Sequence, residues 1–267
     1  MAIVIDPISP VAFSVFGFPV RWYALAYIAA FVVGYVALKY MMRAPRAAVK
    51  LTKKELDDLL TWLILGVIIG GRLGYVLFYN LPVFIENPLE IFMLWHGGMS
   101  FHGGLIGVVV ATFGFARRWM RGLHILDMLA VVAPIGLFFG RIANFINMEV
   151  MGRPTDSPLG VIFRGISEVP RYPSPLFEAA TEGILLTVIM FCLYRWTNLR
   201  KYAGALAGTM AMLYAIFRIF CEQFRAPDAQ IGFLTNWGLT MGQLLSGIMF
   251  FCGVGLIVLA MRRGKKS

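Results

Sequence analysis

Three arginines lie inside segments that are otherwise apolar enough to cross a membrane: Arg72, Arg141 and Arg218. A guanidinium keeps its charge at every physiological pH, and placing it at bilayer depth costs a few kcal/mol or more. Each of these arginines therefore needs an ionic partner, a water-filled cavity or an anionic ligand. Three such residues in a chain of 267 residues predict a shared binding site for an anion.

Two of the arginines belong to polar stripes on predicted helices. Tyr214, Arg218 and Glu222 recur at intervals of four residues, which places them on one helical face. Arg141 and Asn144 share a face of another helix, and Glu149 follows near its end. The alternative is that these groups only join neighbouring helices, with Glu222 neutralising Arg218 and no ligand involved.

Two further polar residues are predicted near helix ends on the same side, namely Tyr23 and His102. His102 is followed by two glycines, which would allow close backbone approach around it or simply tight helix packing. Glu178 lies in the first turn of a predicted helix with Ser174 as its N-cap and Pro175 as its first residue. We expect Glu178 only to balance the dipole of that helix.

The elements that must position these residues are membrane-spanning helices. The chain is 59% hydrophobic and only 14% charged, whereas soluble domains carry roughly a quarter charged residues. Its mean hydropathy is +0.76. We therefore predict an all-α integral membrane protein forming a single polytopic domain over residues 1–267. The seven predicted spans are residues 20–38, 59–80, 97–116, 125–147, 176–194, 203–223 and 239–261.

The distribution of basic residues orients these spans. Most of the 24 basic residues follow the first, third, fifth and seventh spans, including Arg46, Lys265 and Lys266. The positive-inside rule then places the amino terminus in the periplasm and the carboxyl terminus in the cytoplasm. In this orientation the three arginines lie roughly 10–14 Å below the outer ends of their helices. Because the charge is divided among short loops, the sequence does not predict nucleic-acid binding.

Several other kinds of site are not supported by the sequence. Its cysteines are Cys192, Cys221 and Cys252, which lie in apolar spans without the spacing of metal ligands. The three histidines lack the pairing expected of a zinc helix, and a phosphate-binding Gly-x-x-x-x-Gly-Lys pattern is missing. We expect no metal and no cofactor. The amino-terminal residues also do not resemble a cleaved signal peptide.

Four motifs are similar to those of one known family. They are Arg-Trp-Tyr at 21–23, His-Gly-Gly at 102–104, Gly-Arg-Ile-Ala-Asn-Phe-Ile-Asn-Met-Glu-Val-Met-Gly-Arg at 140–153 and Phe-Arg-Ile-Phe-Cys-Glu-Gln-Phe-Arg-Ala-Pro-Asp at 217–228. With these motifs the chain resembles the bacterial prolipoprotein diacylglyceryl transferases from the first span to the last. It departs from the family at Met148, where Gly is often found, and at Pro175 and Phe177, where Gln and Tyr are common.

The resemblance implies an activity, its substrates and a location. The family moves a diacylglyceryl group from phosphatidylglycerol to the lipobox cysteine in the signal peptide of a lipoprotein precursor. This forms a thioether and releases glycerol phosphate. The resemblance thus implies a multi-pass protein of the bacterial inner membrane that contacts membrane lipid and faces the outer, periplasmic leaflet with its active site.

The resemblance also implies roles for individual residues. The expected catalytic residues are His102, Arg141, Arg218 and Tyr23. The expected phosphatidylglycerol-binding residues are Arg141, Asn144, Glu149, Gly152, Tyr214 and Glu222. His102 would activate or orient the cysteine thiol, because only the thiolate attacks well. Two alternatives to an enzyme are a channel or transporter for an anionic solute and a non-catalytic lipid-binding scaffold.

Overall fold

The computed structural model describes residues 3–43, 47–79, 81–226, 232–235 and 238–264, with the backbone alone given for Tyr79 and Trp95. Several residues used in the sequence analysis therefore lie outside the described part of the chain. These are Arg46, Pro227, Asp228, Lys265 and Lys266.

Each predicted span overlaps a helix. The long helices are α1 (Trp22–Arg43), α2 (Lys53–Tyr79), α4 (Phe101–Ala116), α5 (Trp119–Ile146), the continuous helix Ser174–Trp196, α8 (Ala205–Cys221) and α9 (Met241–Gly264). Within the described residues, five of them are long and apolar enough to cross a membrane, while α4 and α8 are shorter. The predicted class, a helical integral membrane protein, is confirmed. Apolar side chains are exposed along these helices, for example Phe251 at 74%, as expected for surfaces that contact lipid.

The continuous helix changes its geometry along its length. It starts as α6 (Ser174–Glu178), passes through the π-helical segment Ala179–Leu185 and ends as α7 (Leu186–Trp196). The predicted N-cap at Ser174 is wrong by one residue, because Pro173 occupies the cap position. The Ser174 hydroxyl instead donates to the carbonyl oxygen of Val150 at 2.9 Å, which ties the preceding loop to the helix.

The chain divides into two compact units: a larger unit of Met1–Leu38 with Asp127–Ser267, and a smaller unit of Lys39–Leu126. In the smaller unit, α2 and α4 pack through glycines at intervals of four residues, namely Gly66, Gly70 and Gly74 facing Gly103 and Gly107. A Cβ atom at Gly74 would lie 2.7 Å from the Cα atom of Gly103. The glycines therefore let the two backbones touch, as in other membrane helix pairs.

In the larger unit, α8 is positioned at its start and along one side. The carboxylate of Asp127 on α5 accepts hydrogen bonds from the main-chain nitrogens of Gly204 and Ala207, each at 2.8 Å. It thereby caps the first turn of α8, whose own N-cap residue is a glycine without a side chain. Along its side, α8 packs on α9 where Gly208 meets Gly253.

Within the described residues, the helices are accompanied by four short strands, which the all-α prediction did not include. β1 (Ile3–Ile5) pairs in parallel with β4 (Val161–Phe163), and β2 (Val11–Val15) forms a hairpin with β3 (Phe18–Arg21). A short helix, α3 (Leu81–Glu86), follows α2. The strands have three to five residues and lie outside the spans, so they give no periodic signal that competes with the helices. β1 and β4, together with the end of α5 and the turn after it, enclose a small apolar core around Phe163.

Candidate active site

A buried ionic cluster of three arginines and three glutamates lies in the larger unit. Its members come from α5, from the continuous helix Ser174–Trp196 and from the end of α8: Arg141, Glu178, Glu182, Arg218, Glu222 and Arg225. The glutamate side chains are at most 5% exposed, and those of the arginines are 12–18% exposed. Such burial is costly for single ions, so each charge needs its direct partner of opposite sign.

Glu178 is the central residue of this cluster. One of its oxygens, Oε2, lies 2.9 Å from Nε of Arg141, and the other, Oε1, lies 2.7 Å from Nη1 of Arg218. Nη1 of Arg225 is 3.3 Å from Oε1. The prediction that Glu178 only balances a helix dipole is therefore wrong, because its carboxylate binds three guanidinium groups. A single carboxylate holds Arg141 and Arg218 side by side.

The other two glutamates complete the arginine contacts. Glu182 Oε2 accepts a hydrogen bond from Nη2 of Arg141 at 3.1 Å. Glu222 Oε2 lies 2.8 Å from Nη2 of Arg218, which confirms the pair predicted from their spacing. The hydroxyl of Thr240 donates to Glu222 Oε1 at 2.8 Å and fixes that carboxylate. Arg218 is thus held from two sides, by Glu178 and by Glu222.

The sequence-based predictions did not include Glu182 and gave Glu178 only the role of balancing a helix dipole, although a signal for both residues was present. Two carboxylates four residues apart in an apolar span are as unusual as the buried arginines. The structure adds that the π-helical segment Ala179–Leu185 begins directly after Glu178 and includes Glu182. Such segments in α-helices are rare and occur often at functional sites. The sequence contains no comparable signal that predicts the π-helical segment.

Asn144 and Glu149 form a second polar group at the end of α5. The Asn144 side-chain amide donates to Glu149 Oε2 at 3.1 Å, and that of Asn147 donates to Glu149 Oε1 at 3.4 Å. Asn144 is buried, whereas Glu149 is exposed. The structure therefore brings together two of the residues predicted to bind a lipid head group, at the start of the loop that follows α5.

Gly152 lies where this loop meets the chain that follows α8. Its main-chain nitrogen donates to the carbonyl oxygen of Tyr172 at 3.0 Å, and Arg153 donates in the same way to Phe224 at 2.9 Å. A Cβ atom at Gly152 would lie 2.6 Å from the Phe224 oxygen, which leaves no room for a side chain. Gly152 is thus required for close passage of the backbone beside Arg225.

The two predicted tyrosines differ in their surroundings. Tyr214 is 7% exposed, one helical turn before Arg218, and close enough to Arg141 and Glu182 to interact electrostatically with both. Tyr23 is partly exposed in the first turn of α1, with its ring centroid 5.4 Å from that of Tyr27. Tyr214 therefore belongs to the ionic cluster, and Tyr23 to the start of α1.

His102 lies in the smaller unit, in the first turn of α4. Its side chain is exposed, and its ring meets that of Phe101 edge to face with the centroids 5.6 Å apart. Ser100 caps the helix by accepting a hydrogen bond from the main-chain nitrogen of Gly103 at 3.2 Å. Of the two glycines after His102, Gly103 contacts α2 directly, whereas a Cβ atom at Gly104 would be 3.8 Å from its nearest neighbour.

Among the described residues, the hydrogen-bond acceptors of Arg72 are main-chain carbonyl oxygens and not the carboxylate that Arg141 and Arg218 share, which differs from the expectation of one site for three arginines. The Arg72 guanidinium donates to the main-chain carbonyl oxygens of a loop in the smaller unit: Glu90, Ile91, Met93, Gly97 and Gly98. It also lies over the ring of Phe84, 5.1 Å from the centroid. Arg72 is 4% exposed. Because all three guanidinium nitrogens already have acceptors, Arg72 holds the loop in place.

The described residues also give no support for a metal centre. Within them, groups of three or more His, Cys, Asp or Glu side chains that could hold a metal ion are not found. The carboxylates of the cluster instead have arginines as partners.

The motifs and the ionic cluster lie in a region matched by one family model. The model is that of prolipoprotein diacylglyceryl transferase, and it matches residues 10–259. The chain belongs to the prolipoprotein diacylglyceryl transferase family. It is therefore a transferase and a multi-pass bacterial membrane protein.

Curated relatives of this family match the chain over nearly its full length. A phosphatidylglycerol–prolipoprotein diacylglyceryl transferase of Azospirillum brasilense is 51% identical, covering 98% of both chains. The proteins of the same name from Paramagnetospirillum magneticum and Rhodospirillum rubrum are 47% and 49% identical. They cover 97% and 96% of this chain, and 96% and 93% of their own lengths.

The structure explains one departure of this chain from other prolipoprotein diacylglyceryl transferases. Met148 has a φ of 53°, in the left-handed region that favours glycine. The turn after α5 therefore needs this backbone conformation whichever residue is present. In this chain the Met148 side chain is buried against Val161 and Phe163, so apolar packing offsets part of the backbone strain.

Proposed function

We propose that this chain transfers the diacylglyceryl group of phosphatidylglycerol to the lipobox cysteine in the signal peptide of a lipoprotein precursor. A bond forms between the cysteine sulfur and the glyceryl carbon, the bond from that carbon to the phosphate oxygen breaks, and glycerol phosphate leaves. The names of the relatives at 47–51% identity support both substrates.

The observation that carries the proposal is the sharing of one carboxylate by two arginines. Glu178 offers one oxygen to Arg141 and the other to Arg218. A phosphodiester has two non-bridging oxygens that can accept the same charge-assisted hydrogen bonds. The lipid phosphate can therefore take the place of Glu178 between Arg141 and Arg218. Glu178 would keep Arg225 as a partner.

In this role the two arginines also stabilise the leaving group. The phosphate gains negative charge as its bond to the glyceryl carbon breaks, and guanidinium groups already in place lower the energy of that state. Glu222 and Tyr214 orient Arg218. Asn144, Glu149 and Gly152 shape the head-group pocket, His102 activates or orients the thiol, and Tyr23 positions one substrate.

The same proposal includes the topology. Residues 1–267 form one polytopic domain with seven membrane-crossing helices, a periplasmic amino terminus and a cytoplasmic carboxyl terminus, in the bacterial inner membrane. The basic residues at the ends of α1 and α9, Arg43, Arg262 and Arg263, support this orientation. The ionic cluster then opens towards the outer leaflet, where the precursor's cysteine emerges.

The test uses purified protein in phosphatidylglycerol vesicles with a lipobox peptide. Mass spectrometry should detect the diacylglyceryl adduct on the peptide, and a parallel assay should detect released glycerol phosphate. An anion-flux measurement on the same vesicles should show no transport. Flux without an adduct would support a transporter, and lipid binding with neither would support a scaffold. Either result would overturn the proposal.

A further inference from the structure

Among the described residues, Glu182 differs from the other glutamates of the ionic cluster in having one oxygen for which neither a hydrogen bond nor an ion pair is found. Its side chain is 0% exposed, and Oε2 accepts the hydrogen bond from Arg141 at 3.1 Å. Within the described residues, Oε1 is buried and has no hydrogen-bond partner. Oε2 of Glu178 and Oε2 of Glu222 are also buried without a hydrogen bond, but they form ion pairs with Arg141 at 2.9 Å and with Arg218 at 2.8 Å, respectively. A buried carboxylate oxygen with neither kind of partner is costly, and a proton on Glu182 would remove that cost.

The charges of the ionic cluster balance among its own side chains. Arg141, Arg218 and Arg225 carry three positive charges, and Glu178, Glu182 and Glu222 carry three negative ones. At the edge of the cluster, Arg153 and Glu149 add one charge of each sign. A phosphodiester brings one further negative charge into this low-dielectric site. Uptake of one proton by a carboxylate restores the balance.

The surroundings of Glu182 determine which groups affect that proton. From α5 it faces Arg141, from its own helix Glu178, and from α8 Arg218, Tyr214 and Cys221. The charged groups nearest to that proton are therefore the carboxylate of Glu178 and the guanidinium groups of Arg141 and Arg218. When a phosphate occupies the arginines, their support for the ionised carboxylate weakens and a second anion lies close by.

We propose that Glu182 binds a proton when the lipid phosphate enters and donates it to the departing phosphate as the general acid of the transfer. This inference rests on the proposed function, because it requires Arg141 and Arg218 to bind the phosphate. A phosphate oxygen bound to the Arg141 guanidinium lies next to Glu182, whose own contact with that guanidinium is 3.1 Å long. Proton transfer to that oxygen then needs no large movement.

The step balances in atoms and charge. The thiolate forms the carbon–sulfur bond, the carbon–oxygen bond to phosphate breaks, and its electron pair stays on the phosphate oxygen. The Glu182 proton passes to the departing phosphate monoester, whose second pKa is near 6, so glycerol phosphate leaves as a monoanion. Glu182 is then ionised again and pairs with Arg141. The proton lost by the thiol equals the one that Glu182 took up.

The experiment counts protons when lipid binds. The detergent-solubilised full-length protein is mixed with short-chain phosphatidylglycerol in a weakly buffered solution that contains a pH indicator. The wild type should take up about one proton per bound lipid. Its lipid affinity should fall by up to about tenfold per pH unit as the pH rises above the range in which Glu182 takes up its proton. In Glu182→Gln, both the proton uptake and this pH dependence should disappear.

Activity provides the second readout. Glu182→Gln should lower kcat by about 10²–10⁴-fold while lipid affinity stays the same or improves, because a neutral amide needs no proton to balance the phosphate. Glu182→Asp keeps an acid and should recover most of the lost kcat. The matched control is Glu55→Gln, whose carboxylate pairs with Arg121 in the smaller unit, and it should keep wild-type kcat.

The outcomes separate this inference from the proposed function. A wild type that transfers diacylglyceryl but takes up no proton on binding lipid contradicts the inference alone. So does Glu182→Gln with unchanged kcat, or a loss of lipid affinity equal to its loss of activity, which would indicate a structural role. A wild type that forms no adduct contradicts the proposed function itself. If Glu182→Gln does not fold, the proton count of the wild type still decides.

Discussion

Arg72 in the smaller unit and Arg141 in the larger unit are both arginines in apolar helices, but their guanidinium groups have different partners. Arg72 binds main-chain carbonyl oxygens, whereas Arg141 binds the carboxylates of Glu178 and Glu182. Carbonyl partners are neutral and fixed by the loop they belong to, so they leave a net positive charge that is already fully coordinated. Carboxylate partners are anions, and another anion can replace them.

This difference teaches how to distinguish a structural arginine from a functional one within a membrane. Both satisfy the requirement that a buried guanidinium be hydrogen-bonded. Only the arginine that is paired with a carboxylate offers a site for a negatively charged substrate, because that substrate can replace the carboxylate. Residue type and depth in the helix do not distinguish the two cases, whereas the identity of the hydrogen-bond acceptor does.

The largest effect is expected when the functional arginines lose their two-pronged geometry. Arg141→Lys and Arg218→Lys keep the charge but cannot bridge two acceptors, so each should reduce transfer by about 10³-fold. The measurement is adduct formation by the purified variants in phosphatidylglycerol vesicles. Near-normal turnover in Arg141→Lys would contradict the proposal that Arg141 binds the lipid phosphate.

Removing the shared carboxylate should separate stability from lipid binding. In Glu178→Gln, Arg141 and Arg218 lose their common anion, which should destabilise the empty protein by about 3–5 kcal/mol. Phosphatidylglycerol supplies a replacement anion, so the gain in Tm on adding this lipid should exceed that of the wild type. Thermal unfolding with and without phosphatidylglycerol, and with a zwitterionic lipid as control, measures the difference. An equal gain in both proteins would mean that phosphate does not replace Glu178.

Replacing the structural arginine, Arg72, should lower stability without changing the stabilisation by lipid. Arg72→Lys leaves several loop carbonyl oxygens without donors and should lower stability by about 2–4 kcal/mol. Addition of phosphatidylglycerol should raise its Tm by the same amount as in the wild type. The kcat of the folded fraction should remain within about threefold of wild type. A selective loss of lipid-dependent stabilisation would make Arg72 part of the anion site after all.

The smallest effects concern the two glycines after His102. Gly103→Ala places a methyl group against the backbone of α2 and should destabilise the smaller unit by about 1–3 kcal/mol. Gly104→Ala meets its nearest atom at an ordinary 3.8 Å and should cost less than about 1 kcal/mol. Thermal unfolding of the two variants provides the comparison. Equal losses would contradict the assignment of Gly103 to helix packing.

Much of the fold was predictable because membrane helices have a strong and local signal. Apolar length alone located each of the long helices, with boundary errors of several residues at α2 and α5, but not the short helix α3. The short strands and the π-helical segment were not predictable, because they depend on pairing and packing with distant parts of the chain. The sequence singled out Arg141, Arg218 and Glu222 from their positions in apolar helices and from helical spacing. It did not single out Glu178, since a glutamate in a first helical turn has an adequate local explanation.

The sequence by itself determined the class of the protein, its family and the need for partners of three buried charges. Hydropathy, motifs and residue spacing are properties of the chain, and they do not depend on how the helices are arranged. Only the tertiary structure decided which partners those charges have, because a guanidinium binds whichever acceptors packing brings within about 3 Å. That packing places Arg72 against loop carbonyl oxygens and joins Arg141 and Arg218 through Glu178. Within the part of the chain that the structure describes, it also leaves one oxygen of Glu182 without a hydrogen bond.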